Sequence, residues 1–264
     1  SMYAEIDGQG WGEVYASAKY MDLLHETGKN TDAREAFIHP QYKKNDAGDQ
    51  IPAFRFVANL YTDGKISGYV YRQGETKEVG GKLIATVDDE EYTLTPVDVD
   101  NKRYSISYKG KTYVGDYDYL MLESQGNPKF YSYKCSKQEG YPHLYSPVIS
   151  RLGELYLIRA EASAKLGNYT KALADLNTVR TRSLPNAGYK SLDATNAHEL
   201  IMKERQLELA YEADRGFDVY RTMKRHYPGF HDGVPEYPAT SPLAIQYIPQ
   251  SEINAYPGTL TQNP

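Results

Sequence analysis

Three glutamates that recur at four-residue intervals are the first candidates for chemistry. Glu204, Glu208 and Glu212 lie at i, i+4 and i+8, so they share one face if the segment is a helix. A stripe of carboxylates can bind metal ions. A di-iron bundle, however, needs Glu-x-x-His pairs on two helices, and none occurs. His198-Glu199 also has no second histidine four residues on, so a zinc protease motif is excluded. We predict no metal and no cofactor.

Arginines near these acids favour a structural role for the stripe. Guanidinium and carboxylate groups form planar, bidentate pairs that fix the register of packed helices. We therefore predict that the three glutamates pair across helix contacts with nearby arginines, which are Arg180, Arg182, Arg205 and Arg215.

Motifs for other reactions are missing. The chain has no Gly-x-Ser-x-Gly elbow and no glycine-rich phosphate loop before Lys-Ser/Thr. Asp88–Glu91 does not follow the spacing of a calcium loop. A glycosidase needs only two carboxylates, and the 35 acidic residues supply enough of them, so a glycan-degrading enzyme stays an alternative.

Aromatic side chains are the candidates for ligand binding. The chain has 26 tyrosines and one tryptophan, and such rings stack on the apolar faces of sugars. Trp11 lies in a glycine-rich loop and is the first candidate, the alternative being that it caps the core. Tyr15, Tyr61 and Tyr71 are further candidates, and Tyr71 lies on the same strand face as Tyr69.

The elements that position these residues change along the chain. Residues 54–122 alternate in polarity and are rich in β-branched and aromatic residues, which predicts antiparallel strands. Asp63-Gly64 and Lys109-Gly110 predict tight hairpin turns. A short helix is predicted at Tyr20–Leu24, with Gly28 as its terminator.

Beyond residue 150 the hydrophobic period becomes helical. The first helix has Leu152, Leu155 and Leu166 on one side and Leu157 and Ala160 on another, which predicts burial on both sides. A Leu-Gly-x-Tyr-x-x-Ala turn leads to a second helix that stops near Pro185, an arrangement similar to a tetratricopeptide unit. A third helix is predicted at about 197–213.

The bulk composition narrows the class of protein. The formal charge is −5 and basic runs are no longer than a pair, so nucleic acid is not an expected partner. No stretch reaches the roughly 18 apolar residues of a membrane span. The start of the chain lacks the basic and apolar regions of a signal peptide.

Four ordered motifs resemble the SusD/RagB family of nutrient-binding lipoproteins. Arg151–Ala162 is similar to the family's R-x-x-E-x-x-L-I-R-A-E-A helix, and Leu176–Arg182 to its L-N-x-x-R-x-R. Glu204–Asp218 resembles its E-R-x-x-E-L-x-x-E-x-x-R-x-x-D signature. Tyr247–Glu252 and Leu260–Pro264 are similar to its closing segments, and Asp32-x-Arg34 also matches the family pattern.

The resemblance implies a carboxy-terminal portion of a family member. The expected fold is mainly α, with tetratricopeptide-like repeats in residues 1–53 and 123–264 and a small antiparallel β-subdomain inserted at 54–122, which is α+β overall. The expected function is non-enzymatic binding of oligosaccharides or peptides on the outward face of the outer membrane. The partner would be a SusC/RagA-like TonB-dependent transporter, and the membrane contact would be a lipid anchor outside this chain. A tetratricopeptide-like scaffold that binds only other proteins is the second alternative.

Overall fold

Strands contribute as much to this protein as helices do. The computed structural model describes residues 15–124, 127–134, 136, 138–141, 144–212, 214–222 and 247–263. Of the described residues, 32% are helical and 32% lie in strands. The prediction of a mainly α fold was therefore wrong. The β-rich stretch forms a large sheet with its own hydrophobic core, so it is not a small addition to a helical scaffold.

Eleven strands occur in the described residues. They are β1 (Ile38–Pro40), β2 (Pro52–Thr62), β3 (Lys65–Val79), β4 (Lys82–Val87), β5 (Glu90–Thr93), β6 (Thr95–Asp98), β7 (Arg103–Tyr108), β8 (Lys111–Tyr119), β9 (Glu123–Ser124), β10 (Asn127–Pro128) and β11 (Phe130–Ser132). Seven of them form one antiparallel sheet in the order β5-β4-β3-β2-β8-β7-β6. The other four form two small antiparallel pairs, β1 with β11 and β9 with β10.

Tight turns with left-handed backbone connect the central strands. Asp63 and Gly64 have φ values of 50° and 75°, and Lys109 and Gly110 have 48° and 77°. Positive φ at both central residues is typical of a two-residue hairpin whose twist matches that of its strands. Both hairpins predicted from the dipeptides are confirmed.

The sheet curls around its own core. β3 pairs with β2 as far as Glu75 and with β4 from Thr76 onward, so the sheet changes direction next to Gly74. At the far side of the curl β5 contacts β7. The enclosed side chains are apolar and aromatic, and they include Phe54, Phe56, Ala85, Ile106 and Tyr108.

The described helices lie mostly after the sheet in sequence. They are α1 (Ala18–Leu24), α2 (Leu152–Lys165), α3 (Tyr169–Ser183), α4 (Ala197–Glu208), α5 (Asp214–Thr222) and α6 (Gln250–Ala255), with short 3₁₀ helices at Ala33–Phe37 and Gln138–Gly140. α2 and α3 form a helical hairpin around Gly167, whose φ is 77°. The Asn168 side chain accepts a hydrogen bond from Lys171 N at 3.2 Å and caps α3.

Only one side of α2 is buried in the described part of the chain. Leu157 and Ala160 pack with Leu176 and Ile201 in a core shared by α2, α3 and α4. The other predicted side, with Leu152, Leu155 and Leu166, is exposed, so the prediction of burial on both sides was wrong. None of the described helices is long and apolar enough to cross a bilayer.

A buried histidine joins the sheet to the segment that precedes it. His25 follows α1, and its Nδ1 lies 2.6 Å from Asp116 Oδ2 on β8, while its Nε2 lies 2.8 Å from Glu35 Oε1. Arg103 donates a hydrogen bond to the His25 carbonyl. Burial disfavours the charged ring, but the hydrogen bonds to Asp116 and Glu35 outweigh this cost and raise the pKa of His25 to about 9.

This junction predicts a loss of stability at alkaline pH. The folded-state pKa of His25 exceeds its ordinary value of 6.5, so its stabilisation is complete below about pH 6.5 and is lost as the pH rises through about 9. We expect the free energy of unfolding to fall by up to about 3 kcal/mol across this interval. Urea denaturation at pH 6, 7.5 and 9 measures it. In His25→Gln the free energy of unfolding should change less with pH. An equal pH dependence in both proteins would contradict the raised pKa of His25.

Candidate functional site

A cavity of about 480 Å³ lies where the helices meet the segment before the sheet. Its walls come from α1, the 3₁₀ helix Ala33–Phe37, the β1–β11 pair, the segment before α2, and the ends of α3 and α4. The volume lies within the range of small-molecule sites. Its charged wall contains Glu208 and Glu212, two of the three acids that the sequence analysis singled out, and Glu204 lies behind it on α4.

Glu204 is the most deeply buried member of the stripe. It has no exposed surface, and its two carboxylate oxygens bind two different arginines. Arg34 Nη1 donates to Glu204 Oε1 at 2.6 Å, and Arg180 Nη1 donates to Oε2 at 3.1 Å. Arg34 is held in turn by Asp32, which caps the 3₁₀ helix and accepts from Arg34 Nη2 at 2.6 Å. The Asp32-x-Arg34 motif therefore anchors this segment to α4.

Glu208 and Glu212 line the cavity beside three more cations. Arg151 donates hydrogen bonds to both carboxylates, and its Nε lies 2.7 Å from Glu212 Oε2. Arg182 Nη2 donates to Glu208 Oε1 at 2.6 Å. Lys134 Nζ lies 2.5 Å from Glu212 Oε1. Burial raises the pKa of both acids, but the hydrogen bonds from Arg151 and the neighbouring cations outweigh this effect and hold both pKa values below the ordinary range.

The predicted pairing of the stripe is confirmed for Arg180 and Arg182. Arg205 instead donates from Nε to Asp218 Oδ2 at 2.7 Å and joins α4 to α5. The stripe also differs in shape from the prediction, because α4 ends at Glu208 and a turn with Tyr211 at φ 67° carries Glu212 back to the cavity. Arg34, Lys134 and Arg151 were not predicted as partners, since they come from distant parts of the sequence.

Two further arginine–carboxylate pairs join helices to one another. Arg159 binds Asp175 through two hydrogen bonds of 2.8 and 2.7 Å and joins α2 to α3. Arg221 binds Glu161 at 2.6 and 2.7 Å and joins α5 to α2. The described residues contain no group of three or more His, Cys, Asp or Glu that could hold a metal ion.

The predicted aromatic candidates do not gather at one place. Trp11 lies outside the described residues. Tyr15 is half-buried and forms an isolated bridge with Tyr131. Tyr71 is 6% exposed, and its ring packs against Phe130 in the core, so it does not offer a surface for stacking. Sequence alternation did not reveal this, because it places Tyr71 on the same face as Tyr69 without showing what covers either ring.

Tyr61 is the one described candidate with a well-exposed ring. It is 41% exposed near the end of β2, where Lys111 Nζ lies 3.5 Å from the ring centroid and Asn59 donates to the hydroxyl at 3.2 Å. Tyr71 pairs with Val57. Four residues of β2 separate Val57 from Tyr61, which is about 13 Å along the strand. The two tyrosines therefore do not form one platform.

Aromatic residues that line the cavity were not singled out from the sequence. Tyr20 and Tyr211 meet edge to face with ring centroids 5.8 Å apart, and Phe37 lies on another part of the wall. Their spacing in sequence gave no signal, because α1, the 3₁₀ helix and the turn after α4 meet only in the folded chain.

One family model matches nearly the whole chain. The family model described as the SusD family matches residues 2–264. A SusD-like protein of Formosa agariphila is 29% identical over 96 residues, which is 35% of this chain and 18% of that protein. The matched region therefore spans less than a fifth of the curated relative.

Two solved structures from Bacteroides fragilis are similar over part of their length. A SusD superfamily protein has a TM-score of 0.38 and 17% identity over 62% of this chain and 36% of its own. A SusD-like protein has a TM-score of 0.41 and 22% identity over 56% of this chain and 34% of its own. The matched region covers about a third of each.

Proposed function

Because the chain belongs to the SusD family, we propose that the protein is a cell-surface receptor that captures glycan or peptide oligomers without altering them. The observation that carries the proposal is the family match, which extends over residues 2–264. The receptor would stand on the outward face of the outer membrane, held by a lipid anchor. It would deliver its cargo to a TonB-dependent transporter.

The chemistry of the charged clusters supports binding over catalysis. Glu204, Glu208 and Glu212 are each engaged by two cationic side chains. Glu208 and Glu212, whose pKa values are held below the ordinary range by these cations, are poor general acids at neutral pH. These acids therefore fit a scaffold that holds a preformed cavity.

Calorimetric titration of the intact protein with polysaccharides and peptides tests the proposal. We expect one class of oligomer to bind, and Trp11→Ala or Tyr61→Ala to weaken it about tenfold, which is about 1.4 kcal/mol, through lost stacking. Tyr256→Ala is the matched control, since this exposed tyrosine lies at the far end of α6. Full affinity in both site variants would remove these residues from the site, and chain-shortened products after incubation would contradict a non-enzymatic role.

The exposed apolar side of α2 favours a second candidate function. Leu152, Leu155 and Leu166 lie on it in the described part of the chain, and such surfaces mark protein contacts. A scaffold that binds only another protein would use this face, and no ligand would bind in the cavity. In that case no oligomer binds in the titration.

A further inference from the structure

The charged cluster at the cavity is positive in a protein that is negative overall. The whole chain has a formal charge of −5. The cluster contains five cationic side chains, which are Arg34, Lys134, Arg151, Arg180 and Arg182. It contains four carboxylates, which are Asp32, Glu204, Glu208 and Glu212. Five minus four leaves one positive charge. Glu26 and Lys203 extend the cluster at Arg180 and cancel each other.

Arg182 is the most exposed of the five cations. Its side chain is 58% exposed, whereas that of Arg34 is buried and that of Arg151 donates to both acids. Arg182 makes one hydrogen bond, from Nη2 to Glu208 Oε1, and no other described residue accepts from it. A guanidinium has five N–H donors in a planar fork. Arg182 is therefore pinned by Glu208 while most of its donors remain available at the cavity.

The remaining cavity wall suits a ligand with flat apolar faces. Phe37 and Val148 expose large apolar surfaces there, and the ring of Tyr20 is packed between the core and the cavity. Within the described residues, nothing hydrogen-bonds the Tyr20 hydroxyl. The Arg182 guanidinium and the Tyr20 hydroxyl can bind a carboxylate, and the apolar wall can contact the sugar ring or the peptide that carries it.

We propose that this cavity is a subsite for a carboxylate group of the cargo, supplied by a uronate sugar or by a peptide carboxy-terminus. The proposal rests on the receptor function above and names its ligand class. Arg182 pairs with the carboxylate, the Tyr20 hydroxyl donates a hydrogen bond, and Phe37 and Val148 contact the apolar part of the ligand.

Calorimetry with matched pairs of ligands tests the subsite. One pair is a short oligogalacturonate and its methyl ester, and the other is a tripeptide with a free or an amidated carboxy-terminus. We expect the free acid of one pair to bind at least tenfold more tightly than its neutral partner, with an affinity that falls as salt is added. Binding of the uronate alone identifies a glycan cargo and binding of the free peptide alone a peptide cargo, and either supports the subsite.

Three variants locate the binding. Arg182→Gln should reduce the affinity for the free acid to that of the neutral partner, and Val148→Trp should block the cavity from an exposed position. Arg159→Gln is the matched control, because this arginine on α2 is 54% exposed and pairs with Asp175 away from the cavity. It should bind as the parent does.

The outcomes separate the subsite from the receptor function. Equal affinity for acid and neutral ligands, or full affinity in both Arg182→Gln and Val148→Trp, overturns the subsite while an oligomer receptor stands. Absence of binding to every oligomer in the titrations overturns the receptor function and the subsite with it.

Discussion

Replacement of Glu204 by alanine should destabilise the protein by about 4 kcal/mol. The change leaves Arg34 and Arg180 buried without their common carboxylate. A buried ion pair adds little net stability over an apolar substitute, but removal of one partner exposes the full desolvation cost of the other. Here two cations lose a partner at once, and Arg34 keeps Asp32 at 2.6 Å and the more distant Glu208 at 3.8 Å.

Urea denaturation of Glu204→Ala, Glu208→Ala and Glu199→Ala measures this effect. Glu208→Ala should cost about 3 kcal/mol, because its partners Arg151 and Arg182 are partly solvated. Glu199 lies on the same helix but is exposed, so its removal should change stability by less than about 0.5 kcal/mol. Equal midpoints for Glu204→Ala and Glu199→Ala would show that the buried network does not stabilise the fold.

Alanine at Gly74 or Gly115 should destabilise the sheet by about 3 kcal/mol or more, since the new methyl group meets backbone. A Cβ at Gly74 would lie 1.8 Å from the Thr86 carbonyl oxygen, and one at Gly115 would lie 2.2 Å from that of Arg55. Backbone cannot move aside as a flexible side chain can. The close approach next to Gly74 is where β3 exchanges its pairing from β2 to β4.

Gly216→Ala provides the control for this prediction. Gly216 lies in α5 and its φ is not left-handed, and among the described residues no atom beyond its chain neighbours and its own helix backbone lies within 4 Å of the added methyl group. Alanine favours helix over glycine by up to about 1 kcal/mol, so this variant should equal or exceed the parent in stability. Thermal and urea unfolding followed by circular dichroism compare the three variants. A native midpoint for Gly74→Ala would contradict the close approach of the strands.

The individual turns and helices could be predicted from the sequence, whereas the relative amounts of strand and helix could not. Asp63-Gly64 predicted a hairpin and Gly167 a break between helices, because both depend on residues adjacent in sequence. The sheet was underestimated because curling around a core depends on a change of pairing partner at Gly74, which alternation does not encode. The exposed side of α2 was missed because helical periodicity shows that a side is apolar without showing what covers it.

The candidate site was predicted only in its acids and in two of their arginine partners. Glu204, Glu208 and Glu212 share a spacing that signals a common face, and two of their arginines lie in one short motif on α3. Arg34 lies 170 residues from Glu204 in sequence, so no spacing rule links them. The cavity itself arises where segments that are distant in sequence meet, and its aromatic wall carries no pattern within any one of them.

The outer strands of the seven-stranded sheet bear on how a peptide could dock. β5 and β6 are its two edge strands, and each is only four residues long. β5 begins with Glu90 and Glu91, while β6 contains Pro96, which has no N–H to donate. Edge strands that are short, charged or contain proline disfavour pairing with a further strand. A peptide is therefore not expected to bind by β-augmentation at these edge strands, and copies of the protein should not polymerise through them.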